Sequence, residues 1–302
     1  MKYRIRIVLT MALLFLLSQV VGLGLLFQDT IVTQMTDETG SLVTSVAHGE
    51  TAIGPRPDLI GFETIIYILA GVLIGTSLVL LFMRFQKFGL WRAMFFFAVF
   101  ATISVALGVI LPQLVAVLLG LLLAILKIKK QNALLHNGTE LLMYAGIALL
   151  FVPLLDLVSV VVLLLVIAAY DAFAVWKSKH MISLAKFQAE SKVFAGLSVS
   201  TKKPTTVKQE KKTQKLGVGQ AILGGGDMAF PLLFAGVVFE WLVVSVGIAK
   251  NLAFLYTLLI PVLCTVTLFL LLVKGKQGTF YPAMPFLSAG CFIGFGLLWL
   301  FL

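Results

Sequence analysis

The chain is predicted to be an all-α polytopic membrane protein of nine transmembrane helices, with its N-terminus inside and its C-terminus outside. Three observations predict this. Hydrophobic residues make up 60% of the 302 residues and charged residues only 12%, with a mean hydropathy of +1.08, a balance that no ordinary water-facing surface allows. Apolar runs of the length a bilayer requires recur along the whole chain. The Lys and Arg residues fall overwhelmingly on one side of those runs. The net charge of +10 therefore reads as membrane topology, and nucleic-acid binding is not expected.

The first run covers 7–27, after Lys2, Arg4 and Arg6. It is longer than the apolar core of a signal peptide and no A-x-A site follows, so it is expected to be a retained helix. Residues 28–61 are polar and read as an external loop in which His48 has no second histidine for a metal site. Further runs cover 62–83, 91–109, 111–126, 134–152, 157–176, 217–238, 251–273 and 285–302. Pro112 and Pro153 mark the tightest connections, since proline starts a helix easily but cannot continue one. With the N-terminus inside, 21 of the 23 Lys and Arg residues lie on the internal side, leaving Arg56 and Lys250 outside. Three regions follow: 1–176 with spans one to six, an internal loop 177–216, and 217–302 with spans seven to nine.

Within the loop, Met181, Leu184, Phe187 and Phe194 have loose helical spacing, which suggests that 177–198 continues along the membrane surface. Residues 201–215 are polar and cationic without apolar period and are expected to be disordered, as a linker or an anionic-lipid contact. Cys264 and Cys291 lie in apolar runs and are too few for a zinc site or a disulfide framework.

The stretch Leu223-Gly224-Gly225-Gly226-Asp227-Met228-Ala229-Phe230-Pro231 is the most informative. A carboxylate among apolar residues usually faces a partner or a cavity, and glycines let a backbone or ligand approach closely. Close helix packing on a G-x-x-x-G-like face is the alternative. The candidate partner acids are Glu63, Glu140, Asp156, Asp171 and Glu240. At 1.5 Å per residue, Asp171 lies roughly 9 Å inside the internal end of span six and Asp227 roughly 15 Å inside that of span seven. Asp156 and Glu240 lie roughly 20 Å further along their helices, and Glu63 and Glu140 read as charges at span ends. Lys177, six residues after Asp171, is off its helical face, and span seven contains no Lys or Arg. Two aspartates left facing each other cannot both ionise and share one proton. That arrangement serves an aspartic protease, one acid activating water while the other polarises a carbonyl. It also serves a proton-coupled transporter that uses the acids as relay groups.

Tyr170-Asp171 at the end of span six, Gly224-Gly225-Gly226-Asp227 in span seven, and Pro282-Ala283-Met284-Pro285 opening span nine resemble the Tyr-Asp, Gly-x-Gly-Asp and Pro-Ala-Leu motifs of presenilins and signal peptide peptidases. The resemblance covers the chain from span one to span nine, and the inferred orientation is that of the presenilin branch. It implies a compact microbial, archaeal-type homologue in a cell membrane, acting as an intramembrane aspartyl protease on transmembrane-helix substrates. It further implies that Asp171 and Asp227 are the catalytic dyad and that Gly224 and Gly226 allow close approach. Tyr170, Gly225, Pro282, Ala283, Met284 and Pro285 would then support the site or bind substrate. Met284 departs from the family's leucine but keeps its volume and apolarity. Presenilins cut themselves in the loop after span six, and no such cut site is visible in 177–216.

No cofactor or metal is expected: the chain has no H-E-x-x-H, and its histidines, His48, His136 and His180, lie at or outside span ends. A serine mechanism would lack its base for the same reason. Prepilin peptidases share a Gly-x-Gly-Asp motif, but nine spans and the Pro-Ala-Met-Pro segment are not expected of them. The segment 274–282, with two glycines and a proline, reads as irregular backbone that lines a cavity, with Pro282 to Met284 as an extended edge for substrate.

Overall fold

The computed structural model describes residues 5–36, 42–56, 59, 62–130, 132–178, 191, 193–200, 220–275 and 281–302. The chain opens with α1 (Ile5–Asp29), which passes directly into the hairpin of β1 (Thr30–Thr36) and β2 (Leu42–His48). These strands pair antiparallel, Thr30 opposite His48. Then follow α2 (Phe62–Arg84), α3 (Phe88–Gly108), α4 (Gln113–Lys129), α5 (Ala133–Phe151) and α6 (Leu157–Phe173). Asn132 and Asp156 start α5 and α6 by accepting backbone N–H bonds from Leu134 and Ser159, satisfying donors the first turn leaves free.

After α6 the chain forms one π turn, Ala174–Ser178, and then the antiparallel pair β3 (Gly196–Ser200) and β4 (Gln220–Gly224). The bundle is completed by α7 (Gly225–Val244), α8 (Lys250–Thr257), α9 (Leu259–Lys274) and α10 (Met284–Trp299). Pro261 separates α8 from α9 because it cannot donate to the Thr257 carbonyl one turn earlier.

Seven of these segments are long and apolar enough to cross a bilayer: α1, α2, α3, α5, α6, α7 and the α8–α9 run Lys250–Lys274. α4 and α10 are shorter, at 17 and 16 residues. Among the described residues there are thus nine apolar helical segments, counting the α8–α9 run as one, of which seven have the length of a span.

The helix α7 is the hub, packed against α1, α5, α6 and α10. Its Phe234 ring meets Phe292 and Phe295 edge-on, with centroids 5.7 and 6.0 Å away. Lipid is as apolar as leucine, so such a bundle coheres by close packing rather than by water exclusion. Gly146 of α5 shows how close: a methyl group there would overlap the Thr102 backbone of α3. Leu73 and Ile74 on α2, by contrast, are largely exposed, as lipid-facing residues would be.

Two expectations change here. Span seven does not begin at 217: residues 220–224 are strand, and α7 starts at Gly225 and runs on to Val244. Residues 220–224 spend their backbone groups on pairing with β3, and the helix begins only after the extended Gly224. In the stretch read as an external loop, 28–61, the described residues include an antiparallel strand pair, Thr30–Thr36 with Leu42–His48. The proposed surface-helix positions Met181, Leu184 and Phe187, the tail 201–219 and residues 276–280 lie outside the described residues. Phe194 is described; it is not helical and stacks on His136.

Candidate active site

Asp171 lies in the last turn of α6, immediately before the π turn, a departure from regular helix that recurs near functional sites. Its buried carboxylate, 8% exposed, accepts a hydrogen bond from the Met284 N–H at 3.1 Å and another from the Ala283 N–H. These donors belong to the N-terminus of α10, the positive end of the helix dipole. Pro285 follows in the first turn, where its missing N–H removes no helical bond. Ala283 has helical dihedrals, φ −82° and ψ −34°. The segment Ala283-Met284 is therefore a helix start that holds Asp171, and the extended edge expected of it is not what the chain forms. Pro282 and Met284 are buried beneath it, and Tyr170 is half-buried beside Asp171.

Asp227 reaches the same place by a different route. The strand β4 ends at Gly224, which is extended (φ −67°, ψ 155°) and caps α7, so that Asp227 is the third residue of that helix. The Gly224 N–H donates to its carboxylate. An extended chain advances about 3.3 Å per residue against 1.5 Å in a helix, so a short strand carries the acid as deep as a longer helix would. The glycines have unequal roles. A methyl group on Gly224 would sit 3.2 Å from Asp227 Oδ2, and one on Gly225 would sit 3.0 Å from the Tyr144 hydroxyl. One on Gly226 would meet nothing nearer than 3.5 Å. The tight pair is Gly224 and Gly225, whereas the resemblance pointed to Gly224 and Gly226. Further loosening comes from Pro231, which cannot donate to the Asp227 carbonyl. One residue on, the Met228 carbonyl accepts from Gln19 Nε2 of α1 at 2.9 Å.

The two aspartates lie within electrostatic reach of each other. Among the described residues neither forms an ion pair with Lys, Arg or His. Lys177, the nearest cation in sequence to Asp171, stands over the Phe173 ring at 5.9 Å instead. No group of three or more His, Cys, Asp or Glu side chains is gathered among the described residues to hold a metal.

Among the described residues, the other buried or half-buried acids, Asp29, Glu140 and Glu240, are paired. Glu140 is fully buried and bonded to Lys127 Nζ at 2.7 Å, so its reading as an interfacial charge is overturned. The signal was present: Lys127 and Glu140 flank a short connection between two antiparallel spans, a spacing that brings their ends together. At the far end of α7, His48 bridges Asp29 and Glu240, each at 3.2 Å, and Arg56 joins Asp29 at 3.0 Å. Burial alone would lower the His48 pKa, but Asp29 and Glu240 outweigh it and raise it to about 9.

Among the described residues, an apolar helical bundle thus brings two aspartates within electrostatic reach of each other, each held by backbone N–H and neither ion-paired. The chain belongs to the signal-peptide peptidase and presenilin aspartyl protease family, whose model matches residues 59–302; it is a protease, and so a hydrolase. Among solved structures it resembles a presenilin family intramembrane aspartate protease in space group C222, at 20% identity over 98% of this chain and 99% of that one, TM-score 0.59. The P2 form of a presenilin family intramembrane aspartate protease is similar at 21% identity, over 97% and 98% of the chains, TM-score 0.56. A comparison with curated proteins finds no match.

Proposed function

We propose that Asp171 and Asp227 are the catalytic dyad of an intramembrane endopeptidase that cleaves peptide bonds within or near transmembrane helices of other membrane proteins. The observation that carries this is the approach of the two carboxylates at the N-termini of α7 and α10, neither of them ion-paired among the described residues. The pair holds one proton. The ionised member takes a proton from water as its oxygen attacks the scissile carbonyl carbon, and the protonated member donates to the carbonyl oxygen. Collapse of the tetrahedral diol then breaks the C–N bond and returns a proton to the leaving nitrogen. A helical substrate hides its backbone and must first be drawn into extended form. The β3–β4 hairpin, whose second strand ends at Gly224, provides an edge with which such a segment can pair.

The same reading places nine spans in the cell membrane of a microbe, N-terminus inside and C-terminus outside, on the support of the Lys and Arg asymmetry. It divides the chain into an Asp171 half, 1–176, and an Asp227 half, 217–302, joined by the cytoplasmic segment 177–216. Reporters fused after Leu302 and inserted near Pro204 are expected on opposite sides of the membrane, and finding both on one side would overturn that topology. The activity is tested by incubating the purified protein in detergent with a single-span peptide. Cleavage within the apolar segment is expected, with none by Asp227→Ala; equal cleavage by that variant would remove Asp227 from the mechanism.

A further inference from the structure

One face of α5 carries a buried polar network that the hydrolytic reading does not use. Glu140 spends both carboxylate oxygens there. Oε1 pairs with Lys127 Nζ at 2.7 Å, and Oε2 accepts from the Gly196 N–H at 2.9 Å and from the Tyr144 hydroxyl. Lys127 completes its shell with Thr139 Oγ1 at 2.8 Å and the His136 carbonyl at 3.3 Å. The same helix face grips β3 twice more. His136 Nε2 bonds the Gly196 carbonyl at 2.8 Å, and Asn137 exchanges two hydrogen bonds with the Ser198 backbone, at 2.9 and 3.1 Å.

The network ends at the Asp227 turn. Gly196, fixed by Glu140 and His136, is the register partner of Gly224 in the β3–β4 pair, and the Gly224 N–H holds the Asp227 carboxylate. Tyr144, only 1% exposed, places its hydroxyl against Gly225, where a methyl group would sit 3.0 Å from it, a tight contact. A buried ion pair is seldom more stable than apolar residues of the same shape, so stability alone is a poor reason for a Lys–Glu pair at this depth. A fully satisfied network does, however, admit one geometry.

Resting on the dyad reading above, we propose that Glu140 and Tyr144 are positioning residues: from α5 they fix β3 and the Gly224-Gly225 turn in the arrangement that aims Asp227 at Asp171. Among the described residues the hydrogen bonds of Glu140 and Tyr144 go to each other and to Lys127 and Gly196, and Tyr144 is within electrostatic reach of Asp227. Their effect falls on kcat, because a displaced acid loses the attack geometry while the substrate still docks.

The test uses Tyr144→Phe, which removes one hydroxyl and keeps the ring, and Glu140→Gln, which keeps the shape and removes the charge. In the full-length protein, Tyr144→Phe is expected to lower kcat about 10- to 100-fold with KM essentially unchanged, the scale of a small misplacement of a catalytic group. Amide hydrogen exchange at 196–200 and 220–227 is expected to accelerate in both variants. In kcat, the double variant is expected to be no worse than Glu140→Gln alone, as members of one unit are not additive. Should Glu140→Gln fail to fold with Lys127 left unpaired, Tyr144→Phe decides alone. Wild-type kcat in a folded Tyr144→Phe, or unchanged exchange at 220–227, would overturn the proposal. Exchange needs no turnover, so a wild-type chain that cleaves nothing refutes the dyad reading while the positioning role is still decided by exchange.

Discussion

The two ends of α7 hold acids in opposite circumstances. At one end Glu240 meets His48, which also meets Asp29, itself bound to Arg56, so two carboxylates are answered by two cations. At the other end Asp227 lies within reach of a second carboxylate, and among the described residues both are held by backbone N–H groups and neither is ion-paired. A neutralised acid ties elements together: here His48 and Arg56 join the hairpin and its following loop to α1 and α7. An acid left to share a proton with its neighbour keeps a charge and a proton available for chemistry. Glu140 belongs with the first kind by its Lys127 partner, and works on the second kind through the strand that it holds.

The comparison breaks most sharply at the dyad. Asp171→Asn and Asp227→Asn are each expected to lower kcat by at least about a thousandfold, with the double variant no worse than either single one. Activity should be bell-shaped in pH, falling when the pair gains a second proton and when it loses its only one. Substantial turnover by either single variant in a peptide-cleavage assay would move that acid into the structural group.

An intermediate effect is expected in the glycine turn. Gly224→Ala and Gly225→Ala crowd Asp227 Oδ2 and the Tyr144 hydroxyl respectively, and each is expected to reduce kcat about tenfold or more. Gly226→Ala meets only ordinary contacts and should raise the melting temperature slightly, since alanine is favoured over glycine in a helix by up to about 1 kcal/mol. Equal losses for all three, measured as kcat alongside Tm, would show that the turn is not shaped by these two contacts.

The smallest effect on catalysis is expected at the outer cluster. His48, raised from 6.5 to about 9, binds its proton more tightly folded than unfolded. Its contribution is therefore complete below about pH 6.5 and fades as pH rises through about 9, amounting to no more than about 3 kcal/mol. Thermal melts of the wild type should show this loss across that window, and His48→Gln should flatten it while kcat at neutral pH changes less than about threefold. A pH-independent difference between the two melting curves would mean that the imidazole works by packing rather than by charge.

The sequence by itself determined the class of the protein and singled out the two acids that the fold brings within reach of each other. Those signals are local: the length and hydropathy of a run, the side on which Lys and Arg fall, and the cost of a carboxylate with no cation within a helical turn. The Tyr170-Asp171, Gly224 to Asp227 and Pro282 to Pro285 motifs lie in order along the chain, and their family could be read from that order. Only the tertiary structure decided the partnerships. The β3–β4 hairpin joins Gly196 to Gly224, Glu140 finds Lys127 across a helix–helix connection, and His48 finds Glu240 nearly two hundred residues on. The Pro-Ala-Met segment acts as a helix N-terminus because Asp171 lies where it can accept the N–H groups of Ala283 and Met284. Periodicity and composition report what a residue does to its own segment. Which distant backbone or side chain satisfies a buried polar atom depends on how the segments pack, and that is written in no single stretch of the chain.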